Sequence, residues 1–220
     1  MSVRFAASLI AYKFPQYTSI NIIGFNAPEW AIAFFGSLFC RSIATGIYTT
    51  NSQQVCEFIA ENSQCKVLVA ENMQYVSKYL SLLKAKKISL VILYSDPTAD
   101  VSEFGGQIVH WSDFMKEGER VDIKNVEERM NTVKPGNCAT LVYTSGTTGM
   151  PKGVMLSHDN MTWCKRALDA YYQREEMAAK LVSYLPLSHI AGISADLVTP
   201  LMSGYHVYFA QPDALQGSLI

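Results

Sequence analysis

Three features of the 220-residue sequence predict an α/β fold in which parallel or mixed sheets are flanked by helices. Short β-branched and aliphatic runs alternate with longer segments of helical periodicity, the pattern of strands joined by helical crossovers. Hydrophobic residues make up 49% of the chain and charged residues 17%, enough to build a sizeable core and too apolar for a disordered chain. A further apolar run, residues 138–143, leads directly into a loop of glycine, threonine and serine.

The elements follow in order. Residues 20–25 (INIIGF) read as a strand ending in Asn-Ala-Pro, and Pro28 then opens a helix at the position where its missing N–H costs nothing. That helix is expected over residues 28–44. It is apolar on nearly all sides, as suits a helix covered by other layers. Asn51 and Ser52 offer a cap for a helix over 53–62. A strand at 66–70, an amphipathic helix at 72–84 and a strand at 90–94 come next. Residues 96–136 are more polar, with Asp-Pro, Gly-Gly and Pro-Gly breakers, and are expected to form a connector with one exposed helix, where a subdomain boundary could fall. Strands at 138–143 and 153–157, a helix at 159–172, a strand at 181–187, a helix at 189–202 and a strand at 205–209 complete the reading.

Composition excludes several functions. Eighteen Lys and Arg balance nineteen Asp and Glu, and no basic cluster is interleaved with aromatics, so nucleic acid is not an expected partner. Cys40, Cys56, Cys65, Cys138 and Cys164 are odd in number and lack C-x-x-C spacing, which fits reduced core thiols of an intracellular protein better than disulfides or zinc. His110, His158 and His206 read as structural, and no metal site is expected within this chain. The N-terminus lacks the continuous apolar stretch of a secretory signal. The longest apolar run, residues 30–40, falls short of the ~20 residues needed to cross a bilayer, so no transmembrane segment is expected. Trp30, Phe34, Phe35 and Phe39 within it suit a core face better than a lipid-binding stripe.

The loop after residue 143 carries the chemistry. Thr144, Ser145, Thr147 and Thr148 bring four hydroxyls, Gly146 and Gly149 let the backbone turn and approach an anion, and Lys152 adds a full positive charge. Such a loop suits a polyphosphate. A plain surface turn has the same composition, and that reading stays open on composition alone. A Walker P-loop does not fit, because the glycines are three apart and Lys152 is followed by Gly153 rather than a hydroxyl residue.

The run Tyr143-Thr-Ser-Gly-Thr-Thr-Gly-Met-Pro-Lys-Gly153 fills every fixed position of the signature loop of the adenylate-forming (AMP-binding) superfamily. Residues 24–30 (GFNAPEW), 45–50 (TGIYTT), 154–158 (VMLSH), 184–190 (YLPLSHI) and 210–219 extend the likeness over essentially the whole chain. Together they resemble a long-chain fatty acyl-CoA synthetase of the bubblegum type. The resemblance implies that residues 1–220 are an incomplete large N-terminal domain of an adenylate-forming ligase, with the adenine and ribose motifs and the C-terminal lysine-bearing domain outside it.

The reaction it implies uses ATP with Mg2+ to convert a fatty acid to acyl-adenylate and then transfers the acyl group to coenzyme A. Catalytic roles would fall on Lys152 and Thr144, and phosphate binding on Thr144, Ser145, Gly146, Thr147, Thr148, Gly149, Met150, Pro151 and Lys152. His189 would line the acyl-substrate pocket, although a lone histidine there is otherwise a structural residue or helix cap. The implied location is cytoplasmic, with peripheral membrane contact to reach a water-insoluble substrate. The competing expectation is a truncated, non-catalytic module that retains only nucleotide or partner binding.

Overall fold

The computed structural model describes residues 1–144, 149–172, 180–214 and 217. Helix α1 (Ser2–Ala11) precedes the first strand, β1 (Ser19–Ile23), and α2 (Pro28–Phe39) then carries the chain to β2 (Ile43–Ile47). Helix α3 (Gln53–Asn62) crosses back to β3 (Cys65–Ala70) on the other side of β1. The short helices α4 (Met73–Val76) and α5 (Leu80–Lys84) lead outward to β4 (Leu90–Leu93) and β5 (Ile108–His110). Two helices, α6 (Trp111–Glu117) and α7 (Ile123–Asn131), return the chain to β6 (Cys138–Thr144), which lies beside β2. The order is β5-β4-β3-β1-β2-β6-β7, all parallel except that β7 (Lys152–Ser157) runs antiparallel to β6. This is the predicted α/β architecture.

Period-two alternation decides which helix covers which face. Ile20, Ile22, Val67, Val69, Leu90 and Ile92 share a core with Phe5, Trp30, Phe34 and Phe114, from α1, α2 and α6. Ile23, Leu68, Ala70, Val91 and Leu93 face Ile59 of α3 and Tyr79 on the opposite side. Both faces of the central strands are therefore covered, as buried parallel strands require.

Two expectations are corrected here. The helix predicted over 28–44 ends at Phe39, and residues 43–47 form the central strand β2. The usual stop signal is a glycine in the left-handed conformation after the last turn. Here Arg41 takes that conformation, at φ 57°, donating its N–H to the Leu38 carbonyl while Ser42 reaches back to Ser37. Lys13 and Lys86 end α1 and α5 in the same way, so none of these helix ends shows glycine in the sequence. Residues 96–136 are likewise more than a connector with one exposed helix. They contain β5, which pairs with β4, and two helices, of which α6 buries Phe114 and Met115.

Smaller differences have local causes. Residues 72–84 form α4 and α5 with a 3-10 turn between them, where Tyr79 is fully buried and Lys78 donates to the carbonyls of Thr49 and Asn51. The Asn72 and Ser52 side chains cap α4 and α3 as expected for these residue types. Beyond helix α8 (His158–Tyr172), strand β8 (Lys180–Ser183) stops short of residue 187 and pairs in parallel with β9 (His206–Phe209) in a separate two-stranded sheet. Between them, α9 (Ile190–Gly192), a π-helical turn (Ile193–Val198) and α10 (Thr199–Ser203) are continuous in sequence.

Trp30 and Phe34 are fully buried, as a core assignment demands. Phe35 and Phe39 instead line an apolar groove of about 270 Å³ with Leu38, Met130, Met161 and Met202, and His158 is among its few polar neighbours. Burial there holds the His158 imidazole below its ordinary value of 6.5. In the acid range the unfolded chain thus binds this proton more readily than the folded one, and stability is lost as pH falls through and below 6.5. The urea midpoint is expected to drop between pH 7 and pH 5, and His158→Gln should flatten that slope. An unchanged slope in the variant would show that other groups set it.

Candidate active site

Strand β6 ends at Thr144 and β7 begins at Lys152, and the antiparallel register sets these two residues directly opposite each other. Side chains so paired stand ~5 Å apart at Cβ on the same sheet face, so the hydroxyl of Thr144 and the ammonium of Lys152 flank the mouth of one hairpin. Both residues are exposed and open to a ligand. Gly149 has φ 122°, a conformation that L side chains rarely adopt. Ser145, Gly146, Thr147 and Thr148 lie outside the described residues.

Beside the hairpin is a cleft of about 270 Å³ lined by Gly46, Tyr48, Asn51, Ile59, Tyr143, Thr144, Pro151 and His189. It sits at the carboxyl ends of β2 and β6, the edge of an open α/β sheet at which ligands bind. The fold thus brings Thr144, Pro151 and His189 together across 45 residues of sequence. Met150 is exposed in the same hairpin and does not line the cleft.

His189 caps a helix and also lines the cleft. Its Nδ1 accepts the Ala191 N–H at 3.1 Å, capping α9, while the ring faces the cleft with its centroid 6.4 Å from that of Tyr48. With Nδ1 used as an acceptor, the neutral imidazole carries its proton on Nε2. Tyr48 and Tyr143 are pushed above the ordinary phenol range by burial, so both stay neutral hydroxyls at physiological pH. The Tyr143 Oη donates to Asn62 Oδ1 at 2.7 Å, fixing the ring against Gly153.

Gly46 and Tyr48 belong to the TGIYTT motif, which by itself places neither of them in the site. The missing signal was strand β2 itself: once residues 43–47 are a strand, the residues just past its carboxyl end become candidates. Asn51 and Asn62 carried no motif of their own. Their roles follow only from the folded arrangement.

A family model described as AMP-binding enzyme matches residues 1–219. The chain belongs to the AMP-binding enzyme family. Within that family it is 39% identical to the long-chain-fatty-acid–CoA ligase ACSBG2 of Xenopus laevis over 218 residues, which is 97% of this chain and 29% of that protein. It is 38% identical to the long-chain-fatty-acid–CoA ligase ACSBG1 of Homo sapiens over 221 residues, 99% of this chain and 30% of that protein. The chain therefore spans under a third of the length of these relatives.

Solved structures show the same fold for this AMP-binding family member. The o-succinylbenzoate CoA synthetase of Bacillus subtilis superposes with a TM-score of 0.75 at 24% identity, over 99% of this chain and 39% of that one. The fatty acyl-adenylate ligase of L. pneumophila, solved with acyl adenylate and pyrophosphate, gives 0.70 at 21% identity, over 99% and 34%. No helix among the described residues is long and apolar enough to cross a membrane.

Proposed function

We propose that this chain supplies the phosphate-binding part of a long-chain fatty acid–CoA ligase of the bubblegum type. In the first half-reaction a fatty acid carboxylate oxygen bonds to the α-phosphorus of ATP, and the bond to the β-phosphate breaks with loss of pyrophosphate. In the second, the coenzyme A thiol attacks the acyl carbonyl and AMP leaves. The observation that carries the reading is the pairing of Thr144 with Lys152 across the β6–β7 hairpin, at the rim of a cleft that also holds His189.

Thr144 would donate its hydroxyl to a phosphate oxygen, and Lys152 would offset the charge that builds as pyrophosphate departs, a fixed positive field rather than covalent chemistry. Ser145, Gly146, Thr147, Thr148, Gly149, Met150 and Pro151 complete the loop in this proposal. His189 and Tyr48 form the wall on the side of the reacting carboxylate. Mg2+ would arrive on the ATP phosphates; among the described residues no group of three or more His, Cys, Asp and Glu could hold a metal, so no ligand is assigned here. The same reading places the protein in the cytoplasm, in contact with membrane surfaces where long-chain acids partition.

Calorimetric titration with Mg-ATP and with pyrophosphate tests the site. Lys152→Ala should weaken both affinities by roughly 10- to 100-fold, the loss of one charge-assisted hydrogen bond. Absence of binding by the unaltered chain at millimolar ligand, or equal affinity in the variant, would remove the proposal.

A further inference from the structure

The segment that carries His189 into the cleft is held from behind by three buried side chains. We propose that Asn26, Ser183 and Asp196 act as positioning residues for His189, fixing where its imidazole stands. The inference rests on the assignment of His189 to the carboxylate side of the proposed site.

Asn26, in the turn after β1, is 7% exposed, Ser183 at the end of β8 is fully buried, and Asp196 in the π-helical turn is 3% exposed. The Asn26 amide spans more than 150 residues of sequence. Its Nδ2 donates to Ser183 Oγ at 2.9 Å and to the Leu185 carbonyl at 2.8 Å, and its Oδ1 accepts the Leu187 N–H at 3.2 Å. Asp196 lies beside Ser183 and Leu185, and both pull its carboxyl downward against burial. Leu185 is therefore held through its carbonyl by Asn26, with the Asp196 carboxyl beside its backbone. From there one turn leads to His189, whose own N–H bonds the Pro186 carbonyl at 2.9 Å.

Stability alone gives a poor account of this arrangement. Asp196 Oδ2 is buried without a hydrogen-bond partner among the described residues, and burial pushes the carboxyl above its ordinary range against the pull of Ser183 and Leu185. An apolar residue of similar volume would avoid that cost. The π-turn that carries Asp196 is a distortion often found at functional sites. What the three residues achieve together is a single placement of the backbone from Leu185 to Leu187, four to two residues before His189.

Long-range proton–nitrogen NMR of the four histidine rings tests this without nucleotide or acid, so its outcome is independent of the Lys152 titration. His189→Gln assigns the resonance. In the unaltered protein His189 should show one tautomer, protonated on Nε2. Asn26→Ala and Asp196→Asn should turn His189 into a tautomer mixture while His110, His158 and His206 keep their shifts, and Ser183→Ala, which leaves the Asn26–Leu185 bond, should move it less. A folded variant with a lowered urea midpoint and an unmoved His189 signal would reduce the three residues to a structural role and overturn the proposal, as would shifts spread evenly over all four rings. If Asn26→Ala fails to fold, Asp196→Asn and Ser183→Ala decide the matter by the same criterion.

Discussion

Replacing Trp30 with alanine is expected to lower the unfolding free energy by about 3–5 kcal/mol. The indole is fully buried, and its ring stacks on Phe34 at 5.7 Å between centroids with 19° between planes. Phe34 in turn meets Phe35 edge-on at 5.5 Å. Truncation would therefore open a cavity within an aromatic cluster on a helix pinned at both ends, where collapse can recover little. Trp30 Nε1 is buried with no acceptor among the described residues, so its removal leaves no partner stranded. Trp30→Phe consequently makes a sharp control: it loses part of the packing but also an unpaired N–H, and should cost less than about 1.5 kcal/mol. Urea unfolding followed by circular dichroism measures both. Equal losses in the two variants would show that the cost lies in what both lack, the second ring and N–H of the indole, and not in the ring that phenylalanine keeps.

Gly46→Val should couple stability to the site. A Cβ at Gly46 would stand 2.7 Å from Ser188 Cα and 3.3 Å from both Ser188 Cβ and Trp30 Cζ2. The nearest of these is backbone, which cannot swing aside as a flexible side-chain tip can. Either β2 shifts or the segment before His189 is displaced from the cleft. Overpacking of this kind costs about 1–3 kcal/mol even for one added methyl group, and valine adds more. The expected result is a lowered urea midpoint together with a His189 ring that no longer shows its single tautomer. Gly46→Ala should give the same two changes in smaller measure. A valine variant of unchanged stability and unchanged His189 signal would mean that Ser188 and Gly46 do not press on each other in solution.

Much of this protein was legible in its sequence because the deciding forces are local. β1, β3 and β4 declare themselves through unbroken β-branched and aliphatic runs, and Ser52 and Asn72 announce helix starts through side-chain oxygens that accept backbone N–H groups. The loop from Thr144 to Lys152 stands out in the sequence by its glycines, hydroxyls and single lysine. Strand β2 does not, since Ile-Ala-Thr-Gly-Ile contains a poor strand former and a glycine, and Arg41 ends the preceding helix where glycine normally would. The strand forms because β1 and β6 offer it hydrogen bonds on both sides, and its glycine is needed for the approach of Ser188. The sequence by itself determined the alternation of elements and put glycines, hydroxyls and a lysine into the hairpin loop. Only the tertiary structure decided that Tyr48 and His189 share a cleft with Thr144 and that Asn26 bonds the segment leading to His189, because their proximity arises from sheet order and long-range hydrogen bonds that no local pattern encodes.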